Sequence, residues 1–128
     1  MKLLLDTHLL LWAAGDPKKL SLKARRLIAD TDNELTFSAA SVWEVAIKRT
    51  LGRVDFQVDS RLWRRGLIDN GYLELPIFSS HVVGVGSLPS IHKDPFDRLL
   101  VAQSLVEGIT LLTSDATVAQ NGGSIRLV

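Results

Sequence analysis

The chain has 128 residues, 46% of them hydrophobic, no cysteine, and a formal net charge of +1 from 15 basic and 14 acidic side chains. That size and apolar content fit a single compact domain, 1–128, and the balanced charge excludes a globally basic nucleic-acid binder. Without thiols there is no disulfide framework, thiolate metal site or cysteine nucleophile, and no apolar run is long enough for a signal-peptide core or a bilayer span, so a soluble, cytoplasmic protein is expected.

Leu3 to Leu5 is short, wholly apolar and cut off by Asp6, which predicts a strand covered on both faces at the centre of a parallel sheet. Apolar spacing from His8 to Ala14 predicts a helix ending near Gly15-Asp16-Pro17, and Ser21 to Ala29 predicts a second, carrying Lys23, Arg25 and Arg26. Leu35 to Phe37 is the next strand, followed by a helix from Ser38 to Leu51 that Gly52 stops. Arg61 to Asn70 is helical, Tyr72 to Pro76 a strand that its proline puts at or near an edge, and Ser79 to Val85 a short helix. Asp94-Pro95 opens the most sharply bounded helix, which runs to Glu107-Gly108 with Leu99, Leu100, Ala102 and Val106 toward the core. Thr110 to Thr113 is a strand, Ser114 to Gln120 a short helix, Asn121-Gly122-Gly123 a turn, and Ser124 to Val128 a last strand. Alternating strands and helices predict a three-layer α/β/α sandwich on a mainly parallel sheet of four or five strands, a fold that collects ligands at the carboxyl edge of its sheet.

Four carboxylates stand where these strands give way to helices: Asp6, Glu44, Asp97 and Asp115. Each has an ordinary explanation. Asp6 and Asp115 sit at helix starts, Glu44 is spaced for a capping box with Ser41 or a helix-surface pair with Lys48, and Asp94 is the natural cap ahead of Pro95, leaving Asp97 on the face of Leu100, Val101 and Ser104. A parallel sheet, however, brings such starts to one edge. Two like charges about 4 Å apart repel by about 4 kcal/mol near a protein surface, so a cluster needs protonation or a cation. Oxygen-only ligands point to Mg²⁺ or Mn²⁺, and a carboxylate-held cation suits phosphoryl chemistry.

The remaining motifs are quieter. His8, His81 and His92 lack the spacing of a zinc site and are assigned no chemistry, and neither a phosphate-binding glycine loop nor a nucleophile elbow is present. Basic residues fall mainly on solvated helix faces, with Lys93 and Arg98, which flank Asp97, expected near a bound phosphate. Trp12, Trp43 and Trp63 read as core or half-buried packing residues.

The segments LLLDTHLLLWAAGD, SVWEVAIK, HKDPFDRLLVAQS and LLTSDATV, in that order and spacing, resemble the PIN-domain family, specifically its VapC-type toxin branch. The resemblance spans nearly the whole chain. It implies a Mg²⁺- or Mn²⁺-dependent ribonuclease that leaves 5′-phosphates, with the acidic quartet at Asp6, Glu44, Asp97 and Asp115 and Thr113 or Ser114 as a neighbouring hydroxyl. It also implies a homodimer inhibited by a VapB-type antitoxin. Asp6 and Asp97 are then expected to hold a metal directly, Glu44 to orient or deprotonate the attacking water, and Asp115 to complete the ligand shell or a second metal position. Two rivals make different demands. A phosphoryl-accepting receiver domain needs adjacent acids after its first strand, where this chain has Asp6-Thr7-His8; a non-catalytic module binding RNA or antitoxin needs the acids only as helix caps.

Overall fold

The computed structural model describes residues 1–91 and 93–128; His92 lies outside the described residues. Five strands, β1 (Lys2–Leu5), β2 (Glu34–Ser38), β3 (Leu73–Leu75), β4 (Thr110–Thr113) and β5 (Ile125–Leu127), form one sheet in the order β3-β2-β1-β4-β5. Every neighbouring pair is parallel, with Leu4 registered against Thr36 on one side and Leu111 on the other. Seven α-helices connect them among the described residues: α1 (Thr7–Gly15), α2 (Leu22–Ala29), α3 (Ala39–Thr50), α4 (Ser60–Asp69), α5 (Ser79–Val85), α6 (Pro95–Glu107) and α7 (Ala116–Ala119).

Successive strand residues point to opposite faces, and β1 uses this to seed both halves of the core. Leu3 and Leu5 pack with Phe37, Leu112 and side chains of α1, α2 and α4, whereas Leu4 packs with Leu111, with Leu99, Leu100 and Val101 of α6, and with Val118 of α7. All three leucines are fully buried, each contributing about 1.5–3 kcal/mol in area bookkeeping. The sandwich therefore has three layers, as expected, on a sheet that is wholly parallel. The proline-bounded strand β3 is indeed at the edge.

Some expectations are corrected. Two 3₁₀ turns, Pro17–Lys19 and Val54–Phe56, are each shorter than the period that reveals a helix in a sequence. Val106, expected in the core, is 46% exposed: it stands in the last turn of α6 against Gly84 of α5, whose missing side chain leaves it partly open. Trp43, read as a core or half-buried packing residue, is 50% exposed and packs edge-on against Phe96, with ring centroids 4.7 Å apart.

Candidate active site

The chain builds outward from β1 through β2 and β3 on one side, then returns to build β4 and β5 on the other. At such a reversal the carboxyl ends of adjacent strands, here β1 and β4, border a crevice. An open cleft of about 420 Å³ lies among Asp6, Glu44, Asp97 and Asp115, together with His8, Lys48, Arg53, Asp94, Ser114 and Thr117. Acids separated by up to 109 positions thus face one space.

Asp6 follows β1 directly and caps α1: its Oδ1 accepts from the Leu9 N–H at 2.9 Å. Its Oδ2 accepts from the Thr113 hydroxyl at 2.7 Å and the Ser114 N–H at 3.4 Å, so β4 fixes the carboxyl of β1. Burial pushes the Asp6 carboxyl above its ordinary value, against the hydrogen bonds from Leu9 and Thr113. Thr113 is itself fully buried. Its hydroxyl, the neighbouring hydroxyl that the resemblance implies, donates to Asp6 and accepts from the Asp115 N–H at 3.0 Å. Ser114 is exposed and lines the cleft.

Ser38, not Ser41, caps α3, its hydroxyl accepting from the Ala40 N–H at 2.9 Å, which leaves Glu44 well inside the helix. Glu44 is 2% exposed, and both its oxygens are engaged: Oε1 accepts from the Thr7 hydroxyl at 2.6 Å and Oε2 from the Lys48 ammonium at 2.5 Å. The same ammonium lies 3.2 Å from Oδ2 of Asp94. Burial works against the Lys48 charge, but the hydrogen bond and charge of Glu44, with those of Asp94, outweigh it and hold the lysine above its ordinary value.

Asp94 caps α6, its Oδ1 accepting from the Phe96 and Asp97 N–H groups at 2.9 and 3.1 Å. Behind Pro95 that cap puts Asp97 in the first turn, half-buried and turned into the cleft. Burial, then the neighbouring charges of Asp94, Glu44 and Asp6, push the Asp97 carboxyl up to about 7. Asp115 is exposed and caps α7, its Oδ1 accepting from the Thr117 N–H at 2.8 Å.

The two basic residues expected beside a phosphate lie elsewhere. Lys93 is exposed and outside the cleft lining, and the Arg98 guanidinium donates to the carbonyls of Val85 and Pro89, each at 3.1 Å, bracing the segment between α5 and α6. The basic group inside the cleft is Lys48, which spacing alone does not distinguish from a surface partner of Glu44. His8 and Arg53, at the rim, lean on Asp55 at 2.9 and 3.8 Å. His81 is fully buried, its Nδ1 accepting from the Phe78 N–H and its Nε2 bonded to Glu107 at 2.9 Å. A larger groove of about 590 Å³ opens between α1, α2 and α4, but its lining, including Leu62, Trp63 and Leu67, contains no carboxylate.

Among the described residues no three His, Asp or Glu side chains are already gathered into an ion cage. The donors fit a cation that takes one or two carboxylates and keeps its waters, which is the habit of Mg²⁺, rather than one that demands nitrogen or sulfur ligands. The mutual repulsion at Asp97 is what such a cation relieves.

A wholly parallel α/β/α sandwich whose carboxylate-lined cleft opens at the reversal of strand order defines the class, and the chain belongs to the PIN-domain family, whose model matches residues 3–123. Within that family its VapC-type character is evident from a relative, ribonuclease VapC22 of Mycobacterium tuberculosis, to which it is 31% identical over 113 residues, 88% of this chain and 85% of the relative. The fold is shared with VapBC2 from Rickettsia felis, solved bound to a DNA fragment from their promoter, at a TM-score of 0.69 and 14% identity over 100% of this chain and 98% of that one. It is also shared with VapBC-1 from nontypeable Haemophilus influenzae, at a TM-score of 0.62 and 18% identity over 94% of this chain and 92% of the other.

Proposed function

We propose that the protein is the toxin of a toxin–antitoxin pair, a cytoplasmic Mg²⁺- or Mn²⁺-dependent endoribonuclease whose acidic set is Asp6, Glu44, Asp97 and Asp115. The observation that carries this reading is the common cleft: Asp6, Glu44, Asp97 and Asp115 line it together with Asp94, and burial, with the charges of Asp94, Glu44 and Asp6, pushes Asp97 up to about 7. The relative named as a ribonuclease supports RNA as the substrate, and the VapBC neighbours support a VapB-type antitoxin as the partner.

Asp6 and Asp97 would hold the ion, with Asp115 completing its shell. When bound, the cation lowers the pKa of water and screens the phosphate charge. Thr113 and the Leu9 N–H keep Asp6 in one orientation, so that ligand geometry is set before substrate arrives. Glu44 is held by Thr7 and Lys48, yet each carboxylate oxygen has a second lone pair, leaving it able to orient the attacking water and accept its proton. In-line attack breaks the bond from phosphorus to the ribose 3′-oxygen and leaves a 5′-phosphate, with no covalent enzyme intermediate.

Incubating the purified protein with total cellular RNA tests the reading. Cleavage to 5′-phosphate ends is expected with Mg²⁺ or Mn²⁺, loss of cleavage with EDTA, and a fall of at least about 100-fold in Asp97→Asn. Cleavage that survives EDTA sinks the metal, and full activity in Asp97→Asn removes Asp97 from the site. The antitoxin encoded in the adjacent upstream frame is expected to abolish cleavage on mixing, and light scattering of the protein alone to give twice the chain mass of 14.1 kDa.

A further inference from the structure

Lys48 does not behave as the outward partner of an exposed helix pair, whose worth is about 0.3–0.5 kcal/mol. Its side chain is 13% exposed, and its ammonium lies over two rings, with Nζ 4.9 Å from the centre of Phe56 and 5.5 Å from that of Phe96. From there it reaches 46 positions along the chain to Asp94 while holding Glu44 on its own helix. The ammonium therefore stands between carboxylates of α3 and α6, at 2.5 and 3.2 Å from their oxygens. Two-metal nucleolytic sites set their ions about 3.5–4 Å apart to clamp the attacking and leaving oxygens, and such a pair of ions needs carboxylates that no other cation has engaged. Here one ammonium already bridges two carboxylates, one from α3 and one from the cap of α6.

We propose that Lys48 is a resident cation of the cleft: it neutralises Glu44 and Asp94, positions Glu44, and leaves the site one divalent ion, held by Asp6 and Asp97. This rests on the metal-dependent reading above and decides its metal count. Removing the ammonium strips the compensating charge from a buried carboxylate. An added divalent ion then gains that carboxylate instead of being repelled by the lysine.

The test is calorimetric titration of Mn²⁺ into the purified full chain as wild type, Lys48→Met, Lys48→Arg and Asp97→Asn, with single-turnover RNA cleavage measured at saturating Mn²⁺. Methionine supplies an unbranched apolar side chain of similar length beside Phe56 and Phe96 while deleting the charge. Wild type is expected to bind one equivalent. Lys48→Met is expected to bind either a second equivalent or the first about tenfold more tightly, while cleaving at least about tenfold more slowly. Lys48→Arg keeps the charge and is expected to retain wild-type stoichiometry and affinity. Wild-type or weaker Mn²⁺ binding in Lys48→Met overturns the proposal, as does a Lys48→Met defect confined to the KM for RNA, which makes the lysine a phosphate contact. If Lys48→Met does not fold, Lys48→Gln and the melting temperature supply the reading: saturating Mn²⁺ is expected to raise its Tm by more than it raises that of wild type, and an equal gain overturns the idea. Mn²⁺ binding unchanged in Asp97→Asn defeats the metal site itself, whatever Lys48 does.

Discussion

Asp97 sets folding against function. Its carboxyl is pushed from 3.8 up to about 7 in the folded chain, so the folded state holds that proton more tightly than the unfolded state does. The resulting stability is complete below the unfolded value of 3.8 and is lost as pH rises through about 7. Metal-free protein is therefore expected to melt at progressively lower temperature across that window. Asp97→Asn should flatten the dependence and stabilise the chain in EDTA at pH 8 by about 1–3 kcal/mol while removing activity; melts in EDTA from pH 4 to 8 check this. If wild type and Asp97→Asn show the same pH dependence, the repulsion is not there. Asp6, Asp97 and Asp115 are legible in the sequence because each follows a strand or opens a helix, whereas Glu44 lies well inside α3 and is legible only through the resemblance. Lys48 is not legible, because its i,i+4 spacing from Glu44 also describes a solvated pair, and what draws it inward comes from Phe56, Asp94 and Phe96, far away in the chain. The place of Arg98 is hidden for a related reason: adjacency to Asp97 in sequence turns its side chain to another face of the helix, toward Val85 and Pro89.

Among the elements, α6 shows how local chemistry aims a side chain. Asp94 caps it, Pro95 fixes its first residue, and Gly108 ends it in the left-handed conformation at φ 67°. Because nothing crowds a Cβ built on Gly108, Gly108→Ala should cost about 1 kcal/mol through backbone strain alone. It should lower the denaturation midpoint and leave cleavage intact. A loss of activity beyond the unfolded fraction contradicts the separation of this end of α6 from the site. Both ends of α6 could be read from Asp-Pro and Gly, and all five strands from short apolar runs between turn residues. Less legible is which residues of α6 are covered: Phe96 to Ser104 is buried nearly without interruption, so no face stands out, and Val106 is left open by its bare neighbour Gly84 on α5. The 3₁₀ turn at Val54–Phe56 went unread for want of length, although its Phe56 is fully buried and supports Lys48.

At the scale of the whole molecule, the site belongs to the connectivity. Strand order β3-β2-β1-β4-β5 places Asp6 between two chain segments that approach from opposite directions, and their charges converge because the sheet does. A cation that binds only the folded arrangement should stabilise it as a whole, by about 2.7 kcal/mol at a hundred times its Kd. Melting curves with increasing Mn²⁺ are expected to rise in wild type and to stay flat in the double variant Asp6→Asn, Asp97→Asn; a parallel rise in both means the ion binds elsewhere. The hydrogen bond from Thr113 to Asp6 also has a temporal meaning. It joins residues 107 positions apart, and β4 must lie beside β1 before the crevice exists. A ribosome making this chain at about 5–20 residues per second therefore carries an inert nascent polypeptide, already bearing Asp6 and Glu44, until Thr113 has emerged. Chemistry at this edge of the sheet can begin only after β4 has left the ribosome and paired with β1, so a truncated product that stops short of β4 lacks the crevice altogether.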